Sequence, residues 1–294
     1  MSKVWLITGS SRGLGRDLAK AVLAAGHRLV ATARKAEDLR ELVAEYGDRV
    51  RAVALDVTNS AAAREAVAVA TSAFGRLDVV VNNAGYANVN SIEHMAEDDF
   101  RAQVETNFFG VVNVTRAALP VLRAQRDGHI IQVSSVGSRM GSPGIAAYQA
   151  SKAAVAQFSE VLAKEVGPLG IRVTVIEPGG MRTDWAGPSM RIDDIDPDYQ
   201  ATVGAMFQNR GPAIMRGDPS KVAQAILRIA AEKEPPLRFL AGSDAAFCAD
   251  LVLKARAAED AKWKTLSVST DFEGMGDFAD TPIAKFLASQ QRGG

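Results

Sequence analysis

Tyr148 and Lys152 are the pair of residues whose types and spacing best suit proton transfer. Residues four apart share one face of a helix, so the two side chains are expected to lie together. A phenol with a pKa of about 10 is a poor acid or base at neutral pH until a nearby cation stabilises its phenolate. Ser135 lies 13 residues before the tyrosine, at the end of a predicted strand. The three residues predict proton transfer to or from an oxygen; for the Tyr-Lys pair alone, an exposed polar pair is the alternative.

A glycine-rich turn near the N-terminus is the second chemical signal. The run Thr8-Gly9-Ser10-Ser11-Arg12-Gly13-Leu14-Gly15 stands between a predicted strand and a predicted amphipathic helix. Glycine lets the backbone approach a pyrophosphate closely, and the helix N-terminus offers unpaired N–H groups to an anion. The setting predicts a dinucleotide-binding turn, against the alternative of an ordinary glycine-rich turn between a strand and a helix.

Two arginines bear on which dinucleotide would bind. In a Rossmann-type site the residue that ends the second strand reads the adenosine ribose, and an acid there selects NAD whereas a base selects NADP. Here Arg34 follows that strand, and Arg12 lies in the glycine turn. Two guanidiniums could hold a 2′-phosphate by charge-assisted hydrogen bonds, which favours NADP(H) over NAD(H). The alternative for Arg34 is a solvated residue that opens the next helix.

These motifs lie on alternating strand and helix patterns, which are typical of βαβ units and a parallel sheet. Seven short apolar runs are predicted strands: Lys3–Thr8, Arg28–Ala33, Arg51–Leu55, Asp78–Val81, His129–Val133, Arg172–Ile176 and Arg238–Ala241. Helical periodicity is predicted for Leu14–Ala25, Ala36–Tyr46, Ala61–Phe74, Asp98–Ala124, Ala147–Val166 and near Ala245–Thr265. The sequence therefore predicts an α/β fold, a doubly wound Rossmann-type three-layer sandwich with a parallel seven-stranded sheet.

Two regions lack this regular alternation. Residues 184–218 contain Pro188, Pro197, Pro212 and several methionines, and we expect them to form a lid over a site. After the last predicted strand, residues 243–294 form a predicted helical extension packed on the same domain. We therefore expect one catalytic domain over residues 1–242, including the lid at about 184–218, followed by that extension.

Composition and charge exclude several classes of protein. Lys and Arg together number 34, Asp and Glu also 34, and 47% of the 294 residues are hydrophobic, which is unlike a disordered chain or a nucleic-acid binder. The single cysteine, Cys248, cannot form an intramolecular disulfide, and the chain shows no signal peptide and no membrane-spanning apolar run. The three histidines lack metal-ligand spacing. We expect a soluble, cytoplasmic protein with no metal, nucleic-acid or membrane site.

Taken in order, the motifs resemble those of the short-chain dehydrogenase/reductase family, in its NADP(H)-dependent single-domain form, over residues 3 to about 242. By that resemblance Asp56-Val57 would contact the adenine, Asn82-Asn83-Ala84-Gly85 would steady the sheet beneath the cofactor, and Pro178-Gly179 with Thr183 would contact the nicotinamide. The implied catalytic residues are Asn107, Ser135, Tyr148 and Lys152. The implied cofactor-binding residues are Gly9, Ser11, Arg12, Gly13, Leu14, Gly15, Arg34, Asp56, Val57, Asn83, Ala84, Gly85, Tyr148, Lys152, Pro178, Gly179 and Thr183.

The resemblance implies reversible reduction of an aldehyde or ketone to an alcohol. Tyr148 would be the general acid or base, Ser135 would hold the substrate oxygen, Lys152 would also bind the nicotinamide ribose, and Asn107 would hold a water that relays protons. The predicted lid and extension resemble those of steroid, retinol and other bulky-alcohol dehydrogenases. Substrate contacts are predicted for Tyr86, Trp185 and Met190.

Other functions compatible with the motifs are a 3-oxoacyl-thioester ketoreductase that works with an acyl carrier protein and a catalytically silent NADP-binding regulatory protein. A ketoreductase of that kind would show a basic surface near the site, for which Arg139 and Arg182 are thin support. A silent protein would have lost the tyrosine or the lysine. Family members usually pair through their two long helices, so a homodimer or homotetramer is expected.

Overall fold

Seven parallel strands form the central sheet, in the spatial order β3-β2-β1-β4-β6-β7-β9. The computed structural model describes residues 2–183, 190–208 and 215–291. The seven strands are β1 (Val4–Ile7), β2 (Arg28–Ala33), β3 (Val50–Ala54), β4 (Val79–Asn82), β6 (Gly128–Val133), β7 (Ile171–Pro178) and β9 (Arg238–Ala241). The predicted doubly wound parallel sheet is confirmed. Its strand order reverses between β1 and β4, and the carboxyl ends of the strands there border a crevice, where sheets of this kind bind ligands.

Helices connect the strands and cover the sheet. They are α1 (Gly13–Ala24), α2 (Arg40–Tyr46), α3 (Ser60–Phe74), α4 (Glu97–Val104), α5 (Gly110–Gln125), α6 (Ala146–Val166), α7 (Ala205–Gln208), α8 (Pro219–Ile229), α9 (Ser243–Val268) and α10 (Pro282–Gln291). Local signals set several ends. The Asn59 side chain caps α3 by accepting hydrogen bonds from the N–H groups of Ala61 and Ala62 in its first turn, and Gly75 ends the helix in the left-handed conformation with φ +78°. Asp218 caps α8, a helix that the sequence analysis did not predict.

The core lies on both faces of the sheet, because its strands are apolar on both faces. In β1, Val4 and Leu6 belong to the cluster beneath α3 and α5, whereas Trp5 and Ile7 belong to the cluster beneath α1 and α8. All four side chains are completely buried. The alternation of side chains along a strand therefore divides one apolar run between two cores.

The long helix predicted for Asp98–Ala124 is interrupted. A π-helical segment, Glu105–Phe109, separates α4 from α5 and contains Asn107. The side chain of Asn107 hydrogen-bonds to the backbone of Tyr86, on a neighbouring segment. Apolar periodicity does not report such a local change, since the segment on each side keeps its helical pattern.

Part of the predicted lid forms a strand that the sequence analysis did not predict. Strand β8 (Met190–Ile192) pairs in parallel with β5 (Ala87–Val89), apart from the main sheet. A second π-helical segment, Gln200–Gly204, leads into α7. The Tyr199 hydroxyl donates to a Glu93 carboxylate oxygen at 2.6 Å, so side-chain contacts also link the lid to the segment that follows β5.

The chain divides into two compact units, residues 1–248 and residues 249–294. Helix α9 begins in the first unit and ends in the second. Large apolar side chains of the second unit are exposed, among them Trp263, Phe272 and Phe286. Among the described helices, none combines the length and the apolar character that crossing a membrane requires.

Replacing Leu122 by alanine should lower the free energy of unfolding by about 2–5 kcal/mol, because its completely buried side chain would leave a cavity in the core beside α5. Urea denaturation followed by circular dichroism measures the loss. The matched control is Leu253→Ala, since Leu253 is 68% exposed, and its expected effect is below about 0.5 kcal/mol. Equal losses in the two variants would contradict this assignment of the core.

Candidate active site

Ser135, Tyr148 and Lys152 meet at the carboxyl end of β6. Tyr148 and Lys152 lie on successive turns of α6 and are 9% and 4% exposed. The Tyr148 hydroxyl hydrogen-bonds to Ser135, and the Lys152 Nζ atom lies 5.8 Å from the centre of the Tyr148 ring. Tyr148 and Lys152 are buried and Ser135 is half-buried. Polar groups in such places are costly without hydrogen bonds, and each of the three has a partner.

Ser135 lies in extended backbone immediately before the 3₁₀ turn Val136–Ser138. Its Oγ atom accepts a hydrogen bond from the backbone N–H of Gly137 at 3.0 Å. The turn therefore fixes the direction in which the serine hydroxyl points.

Burial shifts the pKa values of the tyrosine and the lysine in opposite directions. It raises the pKa of Tyr148, and the hydrogen bond from Ser135 opposes that rise. It lowers the pKa of Lys152 from 10.5 to about 8. The Lys152 ammonium donates to the Val133 carbonyl at 2.8 Å. The sequence argument assigned to Lys152 the stabilisation of the phenolate, whereas here the contact that lowers the tyrosine pKa comes from Ser135.

Asn107 joins these residues from the π-helical segment. It is completely buried, and its Oδ1 atom accepts from the Tyr86 N–H at 3.0 Å while its Nδ2 atom donates to the Tyr86 carbonyl at 2.9 Å. A Cβ atom on Gly85 would lie 3.0 Å from Asn107 Oδ1 and 3.5 Å from Lys152 Nζ. The predicted tetrad is thus assembled in one place, against the loop that follows β4.

The glycine turn after β1 leaves no room for a side chain at Gly15. A Cβ atom on Gly15 would lie 2.1 Å from the Gly9 carbonyl oxygen, and Gly9 and Gly13 have φ values of +69° and +54°. Arg12 occupies the N-cap position of α1 but makes no capping hydrogen bond through its side chain. Leu14 is buried, and Ser11 lines the cleft outside the turn. The turn and the uncapped helix N-terminus form a cradle for an anion.

The end of β4 is bound directly to this turn. The Thr8 Oγ1 atom accepts from the backbone N–H groups of Asn83 and Ala84 at 2.9 and 3.0 Å. The Asn83 side chain donates to the carbonyls of Thr8 and Gly9 at 3.0 and 3.1 Å. These bonds hold the predicted Asn-Ala-Gly stretch against the glycine turn.

A third loop, after β7, closes on the same crevice. Pro178 ends β7, and the N–H of Gly180 donates to Asp244 Oδ2 at 2.7 Å. A Cβ atom on Gly179 would lie 2.3 Å from the Asp244 carboxylate oxygens. Thr183 lies against the glycine turn, since a Cβ on Gly13 would be 3.6 Å from the Thr183 Cβ. The predicted nicotinamide loop therefore reaches the predicted phosphate turn.

Arginines lie where a 2′-phosphate is expected. Arg12 is exposed and lines a cleft of about 740 Å³. Its other charged lining residues are both basic and acidic, namely Arg16, Lys20, Arg40, Arg182, Asp17, Glu37, Asp38 and Glu41. Arg34 is exposed directly after β2. The pKa of Tyr86 is raised, chiefly by burial and by Asp99, and Arg34 is among the groups that oppose the rise. Arg34 therefore lies within electrostatic reach of the crevice.

The remaining predicted contacts of the cofactor lie after β3. The Asp56 carboxylate accepts from the backbone N–H and the hydroxyl of Thr58 at 3.0 and 2.8 Å. Val57 is buried, and its carbonyl accepts from the Asn113 side chain at 3.0 Å. Both residues are thereby held in a defined turn.

Apolar side chains surround Tyr148 on the side of the lid. The buried members of this cluster are Ala87, Val89, Ile145, Tyr148 and Val203, and Met190 packs against them. The Tyr86 hydroxyl hydrogen-bonds to Thr106. Of the three predicted substrate contacts, the structure brings Met190 to the cluster around Tyr148, and Tyr86 lies beside Asn107. Trp185 lies outside the described residues.

A family model of short chain dehydrogenases matches residues 3–191. The chain belongs to the short-chain dehydrogenase/reductase family. Oxidoreductase BOA17 of Botryotinia fuckeliana (strain B05.10) is 51% identical to it over 273 residues, which are 92% of this chain and 100% of that protein. This short-chain dehydrogenase/reductase is therefore an oxidoreductase of a family that uses NAD(P) and acts on small-molecule substrates.

Solved structures of the family share the fold. A short-chain dehydrogenase from Streptomyces avermitilis has a TM-score of 0.87 and 39% identity, covering 92% of this chain and 98% of that one. A short chain dehydrogenase from Burkholderia cenocepacia J2315, in complex with NADP, has a TM-score of 0.71 and 28% identity, covering 89% and 97%. The residues of this chain fit a dinucleotide, because the cleft beside the glycine turn is lined by Arg12 and adjoins the N-terminus of α1, whose N-cap residue makes no side-chain hydrogen bond.

Two acidic residues of this short-chain dehydrogenase/reductase escaped the sequence analysis. Asp244 binds the loop after β7, and Glu177, completely buried, binds two arginines and a serine. Asp244 carries a weak sequence signal, since it follows Gly242 in the first turn of a helix after the last strand. Glu177 interrupts an apolar strand just before Pro178, and a charge in a buried strand indicates a partner without naming it.

Replacing Lys152 by methionine should remove a pH-dependent part of the stability of the cofactor-free protein. Since burial lowers the Lys152 pKa to about 8, the unfolded chain binds more protons than the folded one between about pH 8 and 10.5. The contribution of this group to the free energy of unfolding therefore rises with pH across that window, by about 3 kcal/mol in all. Urea titrations of wild type and variant across the window measure it.

The matched control is Lys164→Met, which replaces an exposed lysine of the same helix. Relative to the wild type, Lys152→Met should be most stable at the lower pH and should lose that advantage as the pH rises. A difference between the two proteins that does not change with pH would contradict the shift.

Proposed function

We propose that the protein is an NADP(H)-dependent carbonyl reductase, or alcohol dehydrogenase in the reverse direction, with Tyr148 as general acid or base. The observation that carries the proposal is the hydrogen bond between the hydroxyls of the buried Tyr148 and the half-buried Ser135, with Lys152 one helical turn away. This group lies at the same edge of the sheet as the anion cradle of the glycine turn. Proton donor and dinucleotide site thus face one crevice.

In the proposed reaction the chain supplies a proton and holds the substrate oxygen. When bound, the nicotinamide cofactor gives the carbonyl carbon a hydride in reduction and takes it back in oxidation. Ser135 donates a hydrogen bond to the carbonyl oxygen, and Tyr148 gives that oxygen a proton, so that one hydride and one proton convert C=O to CH–OH. In oxidation Tyr148 takes the proton from the alcohol.

Lys152 and Asn107 complete the proton path in this proposal. The Lys152 ammonium lies 5.8 Å from the centre of the Tyr148 ring, and its positive charge would favour the tyrosinate that remains after proton transfer, in addition to the hydrogen bond from Ser135. Asn107, held by both backbone groups of Tyr86, is placed to bind the water that returns protons from solvent. Lys152 would also bind the ribose of the nicotinamide.

The preference for NADP(H) is proposed from Arg12 and Arg34. Both side chains are exposed at the crevice, and no carboxylate follows β2 directly to select a ribose hydroxyl. Nearby, Arg16 is already paired with Glu41 at 2.6 Å. The relative from Burkholderia cenocepacia J2315 binds NADP, which supports this choice.

A bulky apolar aldehyde or ketone is the proposed substrate. Val89, Met190 and Val203 make the lid side of Tyr148 apolar, which favours burial of a hydrocarbon body beside the reacting oxygen. An acyl-carrier partner is less well supported, because Arg139 binds Glu177 and the Arg182 Nε atom donates to the Met215 carbonyl at 2.8 Å. The complete tetrad also argues against a silent regulatory protein.

Self-association as a homodimer or homotetramer belongs to the same proposal. Phe109 and Val161 are 46% and 49% exposed, at the start of α5 and on α6. Apolar residues on the two long helices favour pairing of these helices with those of a second copy.

Tyr148→Phe should lower turnover by about 10²- to 10⁴-fold, because the variant loses the proton donor. The substrate is first found by a screen of NADPH oxidation over aldehydes, ketosteroids, β-ketoesters and quinones. Binding of NADPH, followed by its fluorescence, should change less than about twofold, since the ring of residue 148 stays in place. Tyr46→Phe on α2 is the matched control and should keep full activity. Turnover by Tyr148→Phe at the wild-type rate would refute the mechanism.

Replacing Arg12 and Arg34 by alanine should shift the cofactor preference. Each guanidinium is expected to make a charge-assisted hydrogen bond to the 2′-phosphate, so kcat/KM for NADPH should fall about 10- to 100-fold per residue. The value for NADH, which lacks that phosphate, should change less than about threefold. Arg64→Ala, on the exposed side of α3, is the control. A wild-type preference for NADH, or equal losses for both cofactors, would contradict the proposal.

A further inference from the structure

Glu177 is a completely buried carboxylate at the end of β7, one residue before the loop that closes on the glycine turn. Its Oε1 atom accepts from the Ser138 hydroxyl and from Arg238 Nη1, both at 2.8 Å. Its Oε2 atom accepts from Arg139 Nε at 2.9 Å and from Arg139 Nη2 at 2.5 Å. Both carboxylate oxygens are thus bound by two donors each.

The partners of Glu177 come from the elements that carry the active site. Ser138 and Arg139 are the third and fourth residues after Ser135. Arg238 begins β9, and its Nε atom donates at 2.7 Å to Glu160, on the same helix as Tyr148 and Lys152. Two carboxylates and two guanidiniums therefore join the serine turn, the end of β7, the last strand and α6.

We propose that Glu177 and Arg139 are positioning residues that hold Ser135 at the place where it binds the substrate oxygen. This inference rests on the proposed function. The ion pair acts on the rate of proton and hydride transfer through the serine hydroxyl.

The turn that contains Ser135 explains how the effect reaches the hydroxyl. The Ser138 N–H donates to the Ser135 carbonyl at 2.9 Å, and the Arg139 N–H donates to the Val136 carbonyl at 3.0 Å. The Gly137 N–H binds Ser135 Oγ itself. A shift of the end of this turn therefore moves the serine oxygen. Glu177 holds that end in place, because it binds the side chains of Ser138 and Arg139.

The burial of the pair is consistent with a positioning role. The Arg139 side chain is 30% exposed and that of Glu177 is completely buried. Buried ion pairs often contribute little net stability, because desolvation offsets the attraction, whereas their directional hydrogen bonds define a geometry. A misplacement of about 1 Å at a reacting group can lower a rate about 10²-fold.

A double-mutant cycle with Arg139→Met and Ser135→Ala tests the inference in the enzyme with its NADPH and the substrate found by the screen. Arg139→Met alone should lower kcat about 10- to 100-fold, with NADPH affinity changed less than about twofold. In the Ser135→Ala background the same replacement should lower kcat less than about twofold, because the group through which it acts is gone. Arg139→Lys, which keeps the charge, should recover part of the rate.

Arg172→Met is the matched control. Arg172 lies on β7, at the end of the strand opposite to Glu177. Its side chain is 28% exposed and pairs with Asp127 at 2.7 Å. Its kcat should equal that of the wild type. Circular dichroism and urea denaturation confirm that each variant is folded before its rate is compared.

Equal losses of kcat on Arg139→Met in both serine backgrounds would overturn the inference and leave the ion pair a structural role. An unchanged kcat in Arg139→Met alone would overturn it as well. If Ser135→Ala is too slow for steady-state assay, single-turnover oxidation of NADPH at high enzyme concentration supplies the rates for the cycle, and the same coupling is expected. Tyr148→Phe in the same assay separates the two proposals, because its full activity would refute the proposed function, whereas additive losses with an inactive Tyr148→Phe refute only the positioning role.

Discussion

The contact between the glycine turn and the end of β4 is the constraint on which the rest of the site depends. A Cβ on Gly15 would meet the Gly9 carbonyl at 2.1 Å and the Asn83 side chain at 2.5 Å, so the first helix can start here only with glycine. Thr8 binds the same loop from the side of β1. This packing brings α1 against the strands where the order of the sheet reverses, and the N-terminus of α1 opens into that crevice.

From that crevice outwards, several polar side chains are buried and hydrogen-bonded, although the Asn82 Oδ1 atom has no hydrogen-bond partner. Asn82 on β4 donates to Thr115 and Gln132 beneath the site, and Ser134 donates to the Lys152 carbonyl. Lys152 itself is buried, its ammonium donates to a backbone carbonyl, and burial lowers its pKa. The burial that lowers the pKa of Lys152 also costs folding free energy, which is the usual conflict between activity and stability at a reactive site.

Sequence periodicity predicted the regular helices and strands, and local motifs predicted the candidate functional side chains that lie on them. Seven apolar runs became seven strands because the sheet buries both of its faces, and the i, i+4 spacing placed Tyr148 and Lys152 on one helix face. Strand β8 was not predicted, since three residues carry no period and its partner β5 lies about a hundred residues earlier. The π-helical segment around Asn107 escaped for the same reason, because Tyr86, which binds its side chain, is distant in sequence.

Two acidic residues make contacts, distant in sequence, that tie the loops around the crevice to the last strand and to α9. The loop after β7 is held by Asp244, 64 residues after the glycine whose N–H it accepts, and the Asp244 carboxylate fills the space that a side chain on Gly179 would need. Glu177 similarly requires Arg238. A chain that stopped before the last strand would keep the glycine turn and the tetrad, yet two of the loops around the crevice would lose their anchors. The last strand and the first turn of α9 therefore belong to the site although neither contains a residue of the tetrad, and the first compact unit extends to residue 248, past both anchors.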